Sequence, residues 1–380
     1  MGRGSSGVWR WWLAAAALAL LATTWASASQ AQAPAPGGWT RVESGSDVDL
    51  YDVHFPSPEV GYAVGDQRTI LRTADRGATW TVQGFRGPRR FWSVRALTDT
   101  HAWAAGDQGE IVMTTTGGSD WQTSVTDTNF AWQALSLVSY PENPTGIQYS
   151  LVVGAQATAR STDVLGRSWR IPVNFPPAGG LSRPHLYGAD VRSGTTGVVV
   201  GERAIYYRTA DGSWSGSSYP EVLYGVHLGD ETTGWVVGTN GTILKTADAG
   251  ANWTAQPSGT TATLYDVHFV DALRGWVVGA GGTILATRDG GATWVPQESV
   301  VSADLRGVWF TGVDEGWGVG GGGVILRTTT GGRPAAAPVP TATATLPGEI
   351  RPAPTPTATP AVPRLWRIYL PSAFRTFKGP

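Results

Sequence analysis

Seven tryptophans divide this chain at nearly even intervals: Trp39, Trp80, Trp121, Trp169, Trp214, Trp253 and Trp294, with gaps of 41, 41, 48, 45, 39 and 41 residues. A period of about 40 to 50 residues holding several short apolar runs is the mark of a propeller, whose four-stranded blades cannot bury both faces until neighbours stack on them. The best-preserved unit, Leu264 to Trp294, predicts strand A at Leu264–Val270, strand B at Gly275–Gly279, strand C at Thr283–Thr287 and strand D at Thr293–Gln297. Apolar and β-branched residues alternate within these runs, and Ala280-Gly281-Gly282 suits the positive φ of a tight B-to-C hairpin. The 51 glycines and 19 tryptophans fit the same picture of many tight turns, each anchored by a large aromatic side chain.

The last unit, Leu305 to Thr330, has text for strands A to C but runs into Gly331-Gly332-Arg333-Pro334 with no closing tryptophan. Its missing strand D is matched by Gly37-Gly38-Trp39-Thr40-Arg41-Val42, which reads like the segment that opens Asn252-Trp253-Thr254. The N-terminal strand is therefore expected to complete the seventh blade, with Trp39 closing the ring and two sheet edges removed. The fold expected is all-β: one seven-bladed β-propeller of four-stranded antiparallel blades over Gly37–Gly332.

Both ends read differently. Arg3 and Arg10 precede the apolar run Trp11 to Ala22 and the small-residue site Ala26-Ser27-Ala28, the pattern of an export signal over residues 1–28. The run is shorter than the roughly 20 residues that span a bilayer, which favours a cleaved signal over an anchor. The protein is thus expected in the periplasm, the cell envelope or outside the cell. Residues 333–363 form a Pro/Ala/Thr-rich spacer, and residues 364–380 (RLWRIYLPSAFRTFKGP) a short basic-aromatic tail that could anchor or sort the protein.

The turns between strands C and D carry a motif. Thr73-Ala74-Asp75-Arg76-Gly77-Ala78-Thr79-Trp80, Thr246 to Trp253 and Thr287 to Trp294 resemble the Asp-box, S/T-x-D-x-G-x-T-W. The Asp side chain can accept hydrogen bonds from its own turn, Gly permits a left-handed conformation, and Trp packs between sheets, so the box is a structural device. Its structural residues are expected to be Asp75 and Trp80, Asp163 and Trp169, Asp211 and Trp214, Asp248 and Trp253, and Asp289 and Trp294. Three copies are degenerate: Thr116 replaces Asp before Trp121, Ser161 to Trp169 has one extra residue, and Thr209 to Trp214 is short. The longer phrases Gly61-Tyr62-Ala63-Val64-Gly65 to Thr73, Gly234-Trp235-Val236-Val237-Gly238 to Thr246 and Gly275 to Thr287 resemble the repeat text of the photosystem II stability and assembly factor family. That resemblance implies a non-enzymatic chaperone of reaction-centre assembly.

Composition narrows the chemistry. Lys plus Arg is 28 against 29 Asp plus Glu, which lacks the positive balance that phosphate binding needs, so nucleic acid is not expected as a partner. With no cysteine there is no disulfide, thiolate metal site or cysteine nucleophile. Sialidases need an arginine cluster with a Tyr–Glu pair and an acid, and glycosidases need two facing carboxylates; neither set can be assembled, and Arg170-Ile171-Pro172 stands in the wrong blade for a sialidase signature. Asp52 and Asp266 share one strand A position, and His54, His227 and His268 share another, where Arg95, Leu135, Asp190 and Trp309 also occur. Such a column reads as interblade packing, not a metal site. No catalytic residue, metal or cofactor is expected.

Antiparallel succession puts D-to-A links and B-to-C turns on one face of the disc and A-to-B and C-to-D turns on the other. On the first face the link after Trp80 holds Arg86, Arg89 and Arg90 beside Phe85 and Phe91, followed by Trp92 and Arg95; Arg183 lies in a later link, and Arg68 and Arg203 in B-to-C turns. Arginine beside aromatics is the composition of protein interfaces. These seven arginines form the expected basic face of a monomeric propeller that binds a protein, with an acidic segment of a membrane or envelope complex as the candidate partner. A glycan-binding module or a sialidase-like glycosidase is the alternative, and a surface-attached structural protein a third class.

Overall fold

The computed structural model describes residues 38–162, 165–181 and 183–334. The expected signal, the spacer beyond Pro334, the tail, Gly37 and Asp163 lie outside the described residues.

Six large antiparallel sheets make the ring, where seven separate blades were expected. Five are four-stranded. One runs Leu50–His54, Gly61–Gly65, Ile70–Thr73 and Thr81–Val82 from inside to outside, and the next runs Phe91–Ala96, Ala102–Gly106, Ile111–Thr114 and Gln122–Thr123. The sixth holds six strands, from Leu186–Val191 to Thr254–Gln256. The propeller thus has six blades. The correction traces to one strand, Trp214–Leu228, whose first half pairs with Gly197–Arg208 and whose second half pairs with Gly234–Gly238. Its text, Ser217-Ser218-Tyr219-Pro220-Glu221-Val222, has no glycine between Ser217 and Tyr224 to turn the chain. The segment stays extended and joins what the repeat period reads as two blades.

Ring closure is as the N-terminal text predicts. Gly38–Val42 pairs antiparallel with Val324–Gly332, with Thr40 opposite Arg327 and Val42 opposite Ile325. The expected hairpin conformation also forms, with Gly281 at φ 64° and Gly282 at φ 74°. Tyr140 to Gly146 form a hairpin extension, in which Tyr140 pairs with Asn143.

Sheets meet through a repeated aromatic sandwich. The second-strand tryptophan of one sheet stacks on the phenylalanine that ends the inner strand of the next: Trp317 on Phe55, Trp235 on Phe269 and Trp276 on Phe310, at 3.6, 3.5 and 3.6 Å. A closing tryptophan meets the same phenylalanine edge-on, Trp80 on Phe55 and Trp294 on Phe269. Trp39 takes that place on Phe310 at 5.7 Å and 90°. Covered by neighbours on both faces, second strands such as Gly234–Gly238 and Gly275–Gly279 are buried at every residue and do not alternate.

Candidate protein-binding face

The inner strands surround the central channel, and each carries a β-bulge where its channel-lining segment begins, which in Trp214–Leu228 is at Leu223. Leu50 pairs with Gly65 and Asp52 with Val64, which leaves Tyr51 as the extra residue. The same shift leaves Trp92, Gln133, Tyr187, Tyr224, Tyr265 and Arg306 unpaired. A bulge re-aims the residue it frees. Here these side chains line a cavity of about 90 Å³ at the mouth of the channel.

They form a collar. Trp92 and Tyr51 lie 4.3 Å apart, Tyr187 and Tyr224 5.3 Å, and Tyr224 and Tyr265 5.4 Å, all between ring centroids. The Arg306 guanidinium bridges the two groups, 5.3 Å from the Tyr51 ring and 5.5 Å from the Tyr265 ring, which makes one arc from Trp92 to Tyr187. Polar ends are tied down: the Tyr51 hydroxyl donates to Asp66 Oδ1 at 3.0 Å, and Trp92 Nε1 donates to Asp107 Oδ1 at 2.8 Å. Burial, and then Asp66, push the Tyr51 hydroxyl up to about 12, so it stays neutral. Burial first, with Asp304 second, raises Tyr265 as well. Aromatic faces held at low entropic cost are the usual anchors of protein recognition. The signal was present in the sequence as an aromatic second residue in five inner strands, but the bulge that turns it to the channel was not.

The predicted arginines divide into two groups. Arg68 and Arg89 both pair with the buried carboxylate of Glu110, the second at 3.4 Å, and Arg68 also covers the Phe85 ring at 4.7 Å. Arg90 pairs with Asp66 at 2.8 Å, and Arg95 with Asp52 at 2.8 Å deeper in the channel. These four are largely neutralised from within. Arg86, Arg183 and Arg203 are exposed, and none has an ion-pair partner among the described residues. Backbone bonds from Arg68 N–H to Arg89 O (2.7 Å) and Gly87 N–H to Gln67 O (3.1 Å) pack the two loops around Arg86 together.

On the opposite face the Asp-boxes lock their turns. Asp75 accepts from Thr79 N–H at 2.9 Å and from the Thr79 hydroxyl at 2.6 Å, and Asp289 does the same with Thr293. Asp248 is held by Asn252, and Asp211 by Thr209 and Ser213. In the degenerate copy, Thr116 Oγ1 accepts from Asp120 N–H at 3.0 Å and replaces the carboxylate. Trp80, Trp169 and Trp294 are buried, while Trp214 and Trp253 are half-buried.

The family described as Photosynthesis system II assembly factor YCF48 has a model that matches residues 31–173 and 253–352. The chain belongs to that family. Photosystem II assembly lipoprotein Ycf48 of Synechococcus sp. (strain CC9902) is 25% identical over 139 residues, 36% of this chain and 40% of that protein. The chain therefore matches about two fifths of that curated relative's length. Among solved structures, YCF48 bound to a D1 peptide superposes with a TM-score of 0.63 at 20% identity, over 77% of this chain and 97% of that one. YCF48 from Cyanidioschyzon merolae gives 0.63 at 20% identity, over 76% and 98%. At these identities the YCF48 superpositions show a shared fold.

Proposed function

We propose that this chain is a non-catalytic assembly factor that recognises a protein segment of a membrane complex at the channel mouth. The observation that carries this reading is the collar: bulges in successive inner strands present Tyr51, Trp92, Tyr187, Tyr224 and Tyr265 in one arc, with Arg306 inside it and Arg86 exposed on a neighbouring loop. Membership of the YCF48 family, and a relative that binds a D1 peptide, support a peptide as the occupant. The rings would supply stacking area, and Arg86 would steer an acidic segment. The N-terminal sequence supports a site of action outside the cytoplasm.

The test is fluorescence anisotropy of labelled peptides tiling D1, titrated with the full chain, with the variant Tyr224→Ala/Tyr265→Ala and with Arg86→Glu. Thermal melts check that each folds. The wild type is expected to bind a defined peptide and the double variant to lose about tenfold or more in affinity. Arg86→Glu should weaken binding mainly at low salt. Equal affinity in all three proteins, or no peptide bound, removes the collar from the function.

A further inference from the structure

The short turn Thr209 to Trp214 leaves space that a full Asp-box fills. It has two residues fewer than Thr287 to Trp294, and its tryptophan is half-buried where Trp169 and Trp294 are buried. Trp214 meets Phe175 edge-on at 4.9 Å between ring centroids, beside a cavity of about 360 Å³ between this turn and the preceding sheet. Ile171, Val173, Val191 and the Trp214 ring give the wall its apolar part, and Tyr149 adds a hydroxyl. A cavity of this size suits a small organic molecule.

One charge enters the wall. Among the described residues that line the cavity, Arg208 is the one charged group, with no Asp or Glu beside it. Its Nη1 donates to the carbonyls of Ser193 at 3.4 Å and Gly194 at 2.7 Å, and the guanidinium lies over the Trp214 ring at 5.3 Å. Nε is buried without a partner, and Nη2 makes no hydrogen bond among the described residues. Those two nitrogens form one edge of the guanidinium fork, an edge that matches a carboxylate with two parallel bonds.

Arg160 and Arg327 stand at the same strand position, one residue before the box, and each has a carboxylate partner: Asp127 at 2.8 Å and Glu315 at 2.9 Å. Arg208 has none among the described residues. Asp248 lines a separate cavity with Arg208 but makes no ion pair with it. Burial lowers the Arg208 pKa, and the influence that opposes burial is Tyr149 and not an acid. A guanidinium keeps its proton in a protein, so the charge stays half-buried without a counter-ion.

We propose that this cavity binds a small free monocarboxylate with a compact apolar body, the carboxylate on the unbonded edge of Arg208 and the body against Trp214, Val191 and Ile171. The lone guanidinium selects an anion, because no described acid shares the lining. The apolar wall favours a carboxylate on a hydrocarbon body over sulfate or phosphate, whose remaining oxygens would be desolvated without partners. The site lies apart from the collar and stands independently of the peptide reading.

Phenylacetate is the probe. Full-length protein is titrated with it by calorimetry at fixed ionic strength, beside phenylacetamide, which keeps the ring without the charge, and sulfate, which keeps charge without the ring. Phenylacetate should bind with a dissociation constant of about 1 mM or tighter, and the amide and sulfate about tenfold or more weakly. Arg208→Gln, which retains an amide donor for the Gly194 carbonyl, should lose about tenfold for phenylacetate, whereas Arg183→Gln, away from the cavity, should titrate like wild type. Thermal melts check that both variants fold, and the ligand comparison on the wild type stands without them. Equal binding of phenylacetate and its amide, sulfate bound as well as phenylacetate, phenylacetate affinity unchanged in folded Arg208→Gln, or no phenylacetate bound by the wild type would each overturn the site.

Discussion

Trp39 donates its indole N–H to Oε1 of Gln297 at 2.8 Å, across 258 residues of sequence. The indole is fully buried and packs edge-on against Phe310. Ring closure thus rests on packing as much as on the strand pairing of Gly38–Val42. Replacing a buried tryptophan by alanine typically costs about 3–5 kcal/mol. Trp39→Ala should lose that much in guanidinium chloride unfolding, and Gln297→Leu, which orphans the indole N–H and removes the 2.8 Å bond from Gln297 Nε2 to Gly331 O, about 1–3 kcal/mol. Losses below about 0.5 kcal/mol in both would mean that the closing strand does not hold the ring.

The Asp-box makes an acid-stability prediction. Hydrogen bonds from the Thr293 side chain, then its backbone, then Thr287 hold Asp289 down to about 2. A depressed folded value gives stability that is present above the unfolded carboxylate range, near pH 4, and is lost as pH falls toward 2. Wild type should lose melting temperature over that interval more steeply than Asp289→Asn. Parallel curves would contradict the assignment.

Asp266 works in the opposite sense. Burial first, and then the charge of Asp52, raise its carboxyl to about 7. The folded state holds this proton more tightly than the unfolded chain, so its contribution to stability declines as pH rises from about 4 to about 7, by at most about 1.4 kcal/mol per pH unit. Asp266→Asn also turns an amide N–H toward a backbone donor, because both carboxyl oxygens accept, from Val267 and Val308. The variant should be less stable than wild type at pH 5, with the gap narrowing toward pH 8. A gap that stays constant with pH would rule out a proton on Asp266.

Glu110 sets how basic the upper face is. Its buried carboxylate serves both Arg68 and Arg89, whose side chains are 25% and 43% exposed. Because both partners reach solvent, Glu110→Gln should cost only about 1–2 kcal/mol in urea unfolding. It should also raise affinity for acidic peptides at low salt. Unchanged stability and unchanged salt dependence together would show that the three-residue cluster is not coupled.

Much of this fold was legible because its determinants are local. The box residues Thr287, Asp289 and Thr293 bond one another within one turn, and a repeat of such turns marks the sheets. Even the non-local closure by Trp39 could be read, since the missing strand text of the last unit reappears at the N-terminus. The sheet count failed at Trp214–Leu228, where the period predicts a break but no residue between Ser217 and Tyr224 enforces one.

What the sequence alone determined about this protein is its repeat, its turn chemistry and the order of its strands, because period and backbone preference act within a few residues. The tertiary structure decided what the faces display. Strict alternation would place Tyr51 with buried Val53, and only the bulge against Gly65 and Val64 turns Tyr51 and Asp52 together toward the channel. Glu110, Arg68 and Arg89 meet across neighbouring sheets, and His54, Trp309 and His268 across the closed ring. Charge neutralisation and channel lining depend on distances between strands far apart in sequence, which are set only when the sheets pack.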